Sequence, residues 1–273
     1  MNEPNLYWFP EIGTRVGVFA DDTLSGYPKQ YEDQYRRMKQ EYAKIIKIDS
    51  TELSPALKFT GVQVERNREE GTVTIHMERY IDQLCDEYKG QFEPCELPYG
   101  ESEKERKAFD NMQTSGVKHE KGSYLQLMGK LVWPSSMVRL DISFTVNKLC
   151  SKASEPDSLD YARGLRVIGY LSTTRRLGIT YGGRIRIPMG LKEHPVGFVE
   201  SCGLYVAHDN SFGTSARPMG GYVVMFCNGA VDWSAGALKI VPDSSHEAES
   251  AQASRAAKAG TYTRMLFYGT MVV

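Results

Sequence analysis

Two adjacent aspartates, Asp21 and Asp22, follow the apolar run Val16-Gly17-Val18-Phe19-Ala20 and precede Thr23-Leu24. Two carboxylates roughly 4 Å apart repel by about 4 kcal/mol at an effective dielectric of about 20, so a pair held on rigid strands calls for a divalent cation. The competing reading is a solvated turn, since aspartate favours turns. Two further acids stand far along the chain. Asp209 follows an apolar stretch and fits an Asx turn. Glu247 lies in Ser244-Ser245-His246-Glu247, whose S-x-x-E spacing is a helix capping box worth about 1 kcal/mol without any metal.

The elements that must position these groups follow from periodicity. Leu6–Phe9 and Arg15–Ala20, parted by Pro10 and Gly13, predict a hairpin, with Thr23–Gly26 as a third strand. Tyr31, Tyr35, Met38, Tyr42, Ile45 and Ile46 recur at helical steps and predict a helix over Lys29–Lys47. Phe59–Arg66 and the alternating Val73, Ile75 and Met77 make a second hairpin, turning within Asn67–Gly71. Ile81, Leu84, Cys85 and Tyr88 mark a helix directly after it. Gln91–Gly122, rich in charge, Gly and Pro, reads as a linker or long surface loop. Three helical stripes follow: Tyr124, Leu125, Met128 and Leu131, ending near Pro134; Ile142, Val146 and Leu149; Tyr161, Leu165, Ile168 and Leu171. Leu177–Tyr181 returns to strand, and Gly182–Pro195 reads as a boundary. The tail predicts strands at Gly203–Ala207, Gly221–Phe226 and Ala230–Trp233, then a long Ala-rich helix, Ser245–Phe267. The expected fold class is α+β.

Composition narrows the function classes. The apolar share of the 273 residues is 41%, enough for packed cores, and 33 basic residues nearly cancel 34 acidic ones. No global charge announces nucleic acid, so any such site must be local. The five cysteines, Cys85, Cys95, Cys150, Cys202 and Cys227, lack the short spacing of a zinc or redox motif. Free thiols in a reducing compartment are expected. With no signal-like start and no bilayer-length apolar run, the expectation is an intracellular protein, cytoplasmic or nuclear, without membrane contact.

The order of motifs resembles copia-type retrotransposon polyproteins. Phe19-Ala20-Asp21-Asp22 is similar to the Tyr-Val-Asp-Asp hairpin of the reverse-transcriptase palm, without the tyrosine hydroxyl. Lys58-Phe59-Thr60-Gly61-Val62 resembles the Phe-Leu-Gly-Ile strand that leads into the primer-holding hairpin, and Arg79-Tyr80-Ile81-Asp82-Gln83-Leu84 the Tyr-Ile-x-x-Leu helix. Tyr124–Trp133 resembles Tyr-x-x-x-Val-Gly-x-Leu-x-Tyr. Arg139-Leu140-Asp141-Ile142-Ser143-Phe144-Thr145-Val146 resembles Arg-Pro-Asp-Ile-x-Phe-Ala-Val, with Leu140 in place of Pro. Arg166–Leu171 and Leu177–Tyr181 complete the series. In the tail, His208–Gly213, Gly221-Tyr222, Val231–Ser234 and Ser244–Glu249 resemble segments of the family's RNase H.

The resemblance implies partial palm hairpins and a primer-grip region (1–92), a linker (93–122), a helical connection region (123–182), a second linker (183–200), and the first half of an RNase H-like α/β domain (201–273). It implies Asp21, Asp22, Asp209 and Glu247 as catalytic, metal-holding residues. Magnesium is the implied cofactor, acting in pairs about 3.5–4 Å apart. RNA template, DNA primer and RNA–DNA hybrid are the implied partners, in company with further polyprotein segments. Pattern alone favours the cap for Glu247; the family register favours the metal. Glu249 reads as a solvated face residue, and His246 as an exposed helix-start histidine. Lys239 and Arg217 read as surface charges. Ala235-Gly236-Ala237-Leu238 stands where the family is basic.

The family carries a third palm aspartate upstream of the Asp-Asp hairpin and a further RNase H aspartate after the long helix; this sequence has neither. The expectation is therefore a polymerase and RNase H segment without activity by itself. A non-catalytic nucleic-acid-binding remnant, a decayed gene product and an unrelated phosphohydrolase are the rivals. Asp209 and Glu247 are expected within about 6 Å of each other, close enough to share a metal. The long helix is expected to fray after Arg264, its apolar positions Ala251, Ala253, Ala257 and Leu266 short of partners, beside an open sheet edge.

Overall fold

In a computed structural model of the chain, the described residues are 5–20, 22–45, 56–186, 203–211 and 218–269. They form three antiparallel sheets around a helical block. The first sheet runs in chain order: β1 (Leu6–Phe9), β2 (Thr14–Phe19) and β3 (Asp22–Gly26). Phe19 pairs with Asp22, so the connection between β2 and β3 is two residues long, with Ala20 in the left-handed region at φ +52°. A 3-10 turn leads into helix α1 (Glu32–Ala43), which ends short of the expected Lys47 and buries none of its residues. Its anchor is Tyr35, stacked on Tyr27 at 4.1 Å and hydrogen-bonded to Ser25.

The second sheet holds β4 (Ala56–Phe59), β5 (Val62–Asn67), β6 (Thr72–His76) and β7 (Ile179–Gly182), in that order. Phe59–Arg66 is not one strand. Thr60 and Gly61, at φ +48° and +84°, reverse the chain between β4 and β5. Two consecutive positive-φ residues make the tight turn that suits strand twist. β7 closes the sheet by pairing with β6, Ile75 opposite Ile179, although the whole helical block lies between them in sequence.

That block has one core. Helices α2 (Glu78–Glu87), α4 (Lys121–Met137), α5 (Ser143–Cys150) and α6 (Ser158–Thr173) bury Ile81, Leu84, Tyr124, Leu131, Ile142, Val146, Leu149, Ile168 and Leu171 together. Packing thus crosses the positions 92 and 122 at which the sequence suggested boundaries, and β6–β7 pairing ties residues 72–75 to 179–182. The expected surface loop at Gln91–Gly122 instead contains helix α3 (Glu103–Asp110), started by a capping box of Ser102 and Glu105. Its Phe109 is buried in the same core, with Tyr99 packed against it.

Helix α4 differs from expectation in two ways. Leu125 is 45% exposed and Leu127 takes the buried place. The helix also passes through Pro134 to Met137. Proline has no N–H to give the carbonyl four residues earlier, and the Tyr80 hydroxyl donates to that Lys130 carbonyl at 2.8 Å instead. Beyond α4, the fully buried Arg139 donates from Nε and Nη2 to Asp141, from Nη1 to the Thr174 carbonyl and from Nη2 also to the Thr174 hydroxyl. It therefore fastens the entry of α5 to the end of α6.

The third sheet consists of β8 (Tyr205–Asn210), β9 (Met219–Phe226) and β10 (Gly229–Ala237), followed by helix α7 (Ser245–Gly269). The order is β10-β9-β8, so among the described residues β8 is an edge with a neighbour on one side. α7 covers one face, against β8 and β9, and α5 lies against the other face at β10. The helix continues past Arg264 to Gly269, so the expected fraying is not seen within the described residues. Its buried stripe is Ala248, Gln252 and Ala256, whereas Ala257 is exposed. Two side chains bolt this sheet to the rest. Trp233 Nε1 donates to the Ser135 carbonyl at 2.8 Å, and the Tyr181 hydroxyl donates to the Ala230 carbonyl at 2.6 Å. Burial pushes the Tyr181 hydroxyl up to about 12, which keeps it a donor.

Candidate active-site residues

Asp22 opens β3 at the tip of the first hairpin, where the apolar-strand, Asp-Asp, apolar-strand pattern placed it. Asp21 lies outside the described residues. The turn of the second hairpin docks on this tip: the Thr60 N–H donates to Asp22 Oδ2 at 2.9 Å. The left-handed Thr60 thus has its amide turned out of the β4–β5 ladder and onto a carboxylate. That contact brings the two hairpins together and engages one oxygen of Asp22.

Asp209 and Glu247 are held differently. Val206 packs toward α7, since a Cβ built on Gly260 of that helix would lie 2.5 Å from Val206 Cγ2. Side chains alternate along a strand, so His208 and Asn210 share the α7 side while Asp209 turns to the opposite face. There it lines a crevice with Phe144, Lys148 and Trp233. Glu247 sits in the first turn of α7 as a cap. Its N–H donates to Ser244 Oγ at 3.2 Å, and its Oε2 accepts from the Asp243 N–H at 2.7 Å. The capping geometry is the bland alternative that the motif allowed, realised one residue earlier than the usual reciprocal bond.

Among the described residues, the donor set does not fit a pair of magnesium ions. Among the described residues no three His, Cys, Asp or Glu side chains are grouped to hold a metal. Asp209 points away from the helix that carries Glu247, and the three described candidates each accept a backbone N–H: from Thr60 at Asp22, from Asn210 at Asp209, and from Asp243 at Glu247. Glu249 and His246 are exposed, as expected for surface positions, and Arg217 lies outside the described residues. What the sequence reading missed is the set that faces α7 in place of Asp209, namely His208, Asn210 and the fully buried Gln252. Gly220, paired with Asn210, is the contact point, since a Cβ there would come within 2.5 Å of Gln252 Oε1. Counting by twos from Val206 would have found His208 and Asn210. Nothing in an Ala-rich helix singles out its one glutamine.

No family model matches the sequence. The chain is 28% identical over 239 residues to a curated protein of Saccharomyces cerevisiae (strain ATCC 204508 / S288c), named "Putative transposon Ty5-1 protein YCL074W". The match covers 86% of this chain and 70% of that protein. No solved structure matches. The likeness points to a retrotransposon-derived protein. Among the described residues no helix is long and apolar enough to cross a membrane.

Proposed function

We propose that this retrotransposon-derived chain is a reverse-transcriptase and RNase H segment of copia type, one that engages RNA–DNA hybrid without completing a metal-dependent reaction by itself. The observation that carries the reading is the succession along one chain. A hairpin presents Asp22 at its tip, a second hairpin docks its turn on that tip, a helical block follows, and three antiparallel strands lead into one long helix. The reading of the chain as unable to catalyse alone rests on the carboxylates. Asp22 is latched to Thr60, Glu247 caps α7, and Asp209 addresses the far side of its sheet.

The test uses the purified full chain with a fluorescent RNA–DNA hybrid. Binding should weaken steeply with salt, as phosphate contacts require. Magnesium should produce neither primer extension nor cleavage of the RNA strand. Robust magnesium-dependent synthesis abolished by Asp22→Asn would make the chain a working polymerase. Absence of hybrid binding at low salt would remove the nucleic-acid reading, and turnover of a small phosphoester would favour the phosphohydrolase instead.

A further inference from the structure

A cavity of about 550 Å3 opens between α5 and the face of the third sheet that α7 leaves uncovered. That volume lies within the roughly 300–1,000 Å3 usual for small-molecule sites, and its lining has their character, apolar with a few placed polar groups. We infer that this crevice binds a flat, amine-bearing heterocycle of the adenine or cytosine kind.

Strand register gives the crevice its shape. Asp209, Gly221 and Ala235 lie side by side across β8, β9 and β10, and the next row is Ala207, Val223 and Trp233. The centre of the floor is therefore almost bare backbone. At Gly221 an added Cβ would meet nothing nearer than the Ser234 carbonyl at 3.4 Å, so the space above it is open. Asp209 and Trp233 stand at opposite corners, two strand spacings across and two residues along, roughly 12 Å apart. A fused or single aromatic ring laid on Gly221 reaches both. The indole is held in place by its bond to Ser135, and Phe144 supplies the facing apolar wall from α5.

Charge selects the ligand. Lys148 lines the crevice, but its ammonium lies 3.2 Å from Asp110 and 4.9 and 5.4 Å from the ring centres of Phe109 and Phe144. Its charge is matched within the wall and offers little to an anion. Asp209 is exposed, forms no ion pair among the described residues, and accepts one hydrogen bond there, from the Asn210 N–H. The crevice therefore presents an acceptor-only carboxylate beside aromatic surface. An exocyclic amine satisfies that carboxylate by donating one charge-assisted hydrogen bond, whereas a phosphate is repelled. The site stands or falls apart from hybrid binding, since it takes a single ring rather than a duplex.

The experiment titrates adenosine, cytidine, uridine and AMP into the full chain while following the Trp233 indole N–H resonance, identified by its loss in Trp233→Phe. Adenosine and cytidine should shift that signal saturably. Uridine, with a carbonyl in place of the amine, should bind about tenfold more weakly. AMP should bind more weakly than adenosine at low salt, with the gap closing as salt rises. Asp209→Asn, an exposed substitution that leaves the fold intact, should weaken adenosine by about tenfold. Ala235→Leu should abolish binding at an unchanged melting temperature. No saturation by any nucleoside up to about 10 mM, equal affinity for uridine and adenosine, or indifference to Asp209→Asn would overturn the inference.

Discussion

The first and third sheets share a plan and differ in what covers them. Each is a three-stranded antiparallel meander leading into a helix, and each carries a candidate acid. α1 is charged along its length and buries nothing, while Leu6, Tyr7 and Phe19 of its sheet remain 38%, 49% and 58% exposed. α7 turns small residues toward its sheet, and it buries Ala248, Gln252 and Ala256 near a fully buried Val224. Gly220 and Gly260 let helix and sheet approach more closely than any side chain would allow. Among the described residues, large apolar side chains on the first sheet meet little partner surface, and small ones on the third make a tight interface. Residue size therefore says little about burial until a partner surface exists.

The largest expected effect concerns what braces the third sheet from behind. Asp141→Ala leaves the fully buried Arg139 without its carboxylate, and stranding a buried charge costs about 3–5 kcal/mol. Amide exchange should accelerate in β9 and β10 while β2 is unchanged. Equal acceleration in β2 would show the two sheets to be one cooperative unit, and the comparison would fail. Next in size is a matched pair of truncations. Val224→Ala should lower urea stability by about 2 kcal/mol, and Leu6→Ala should stay within about 0.5 kcal/mol. Similar losses at both sites would mean that the first sheet is packed as firmly as the third.

A smaller effect separates the two acids. Ser244→Ala removes the α7 cap and should cost about 1 kcal/mol, seen as a lower melting temperature. Asp22→Asn, at an exposed latch, should shift stability by less than about 0.5 kcal/mol. If magnesium raised the melting temperature of the parent protein but not of Asp22→Asn, the metal reading of that hairpin tip would be restored. The smallest effect is a pH signature of the helical block. Burial opposes ionisation of Asp157, but hydrogen bonds from the N–H groups of Asp160 and Ser115 outweigh it and hold the carboxyl below its ordinary range. A depressed carboxyl stabilises the fold above its unfolded value, and that share is lost as pH falls through the folded value. The loss should set in below about pH 4 and be shallower in Asp157→Asn, measured by urea midpoints.

Much of this was legible in the residues. Period-two runs gave the hairpins, and stripes at Ile142–Leu149 and Ile168–Leu171 gave buried helix faces because those side chains meet one another in a single core. The turn at Thr60–Gly61 was hidden inside an apolar run, where one glycine looked like part of a strand. α3 was hidden by its charges, although Ser102-x-x-Glu105 announces its start as clearly as Ser244-x-x-Glu247 does for α7. Pro134 misled because its effect depends on a hydroxyl 54 positions away. For the acids, the hairpin tip was foreseen at Asp22. The facing of Asp209 required knowing which side α7 would choose, and that is a tertiary fact.

Ile75 must wait for Ile179. During synthesis β6 leaves the ribosome some hundred residues ahead of β7, a delay of about 5–20 s at ordinary elongation rates. Through that interval the outer hydrogen-bonding edge of Thr72–His76 has no strand to pair with, and such an edge is a template for wrong pairings. The helices between must condense first, because they carry the end of α6 back to within reach of β6. Closure of the second sheet is thus the late, topology-limited event in folding. The bonds from Arg139 to Thr174 hold the end of α6, a few residues before β7, where that closure needs it.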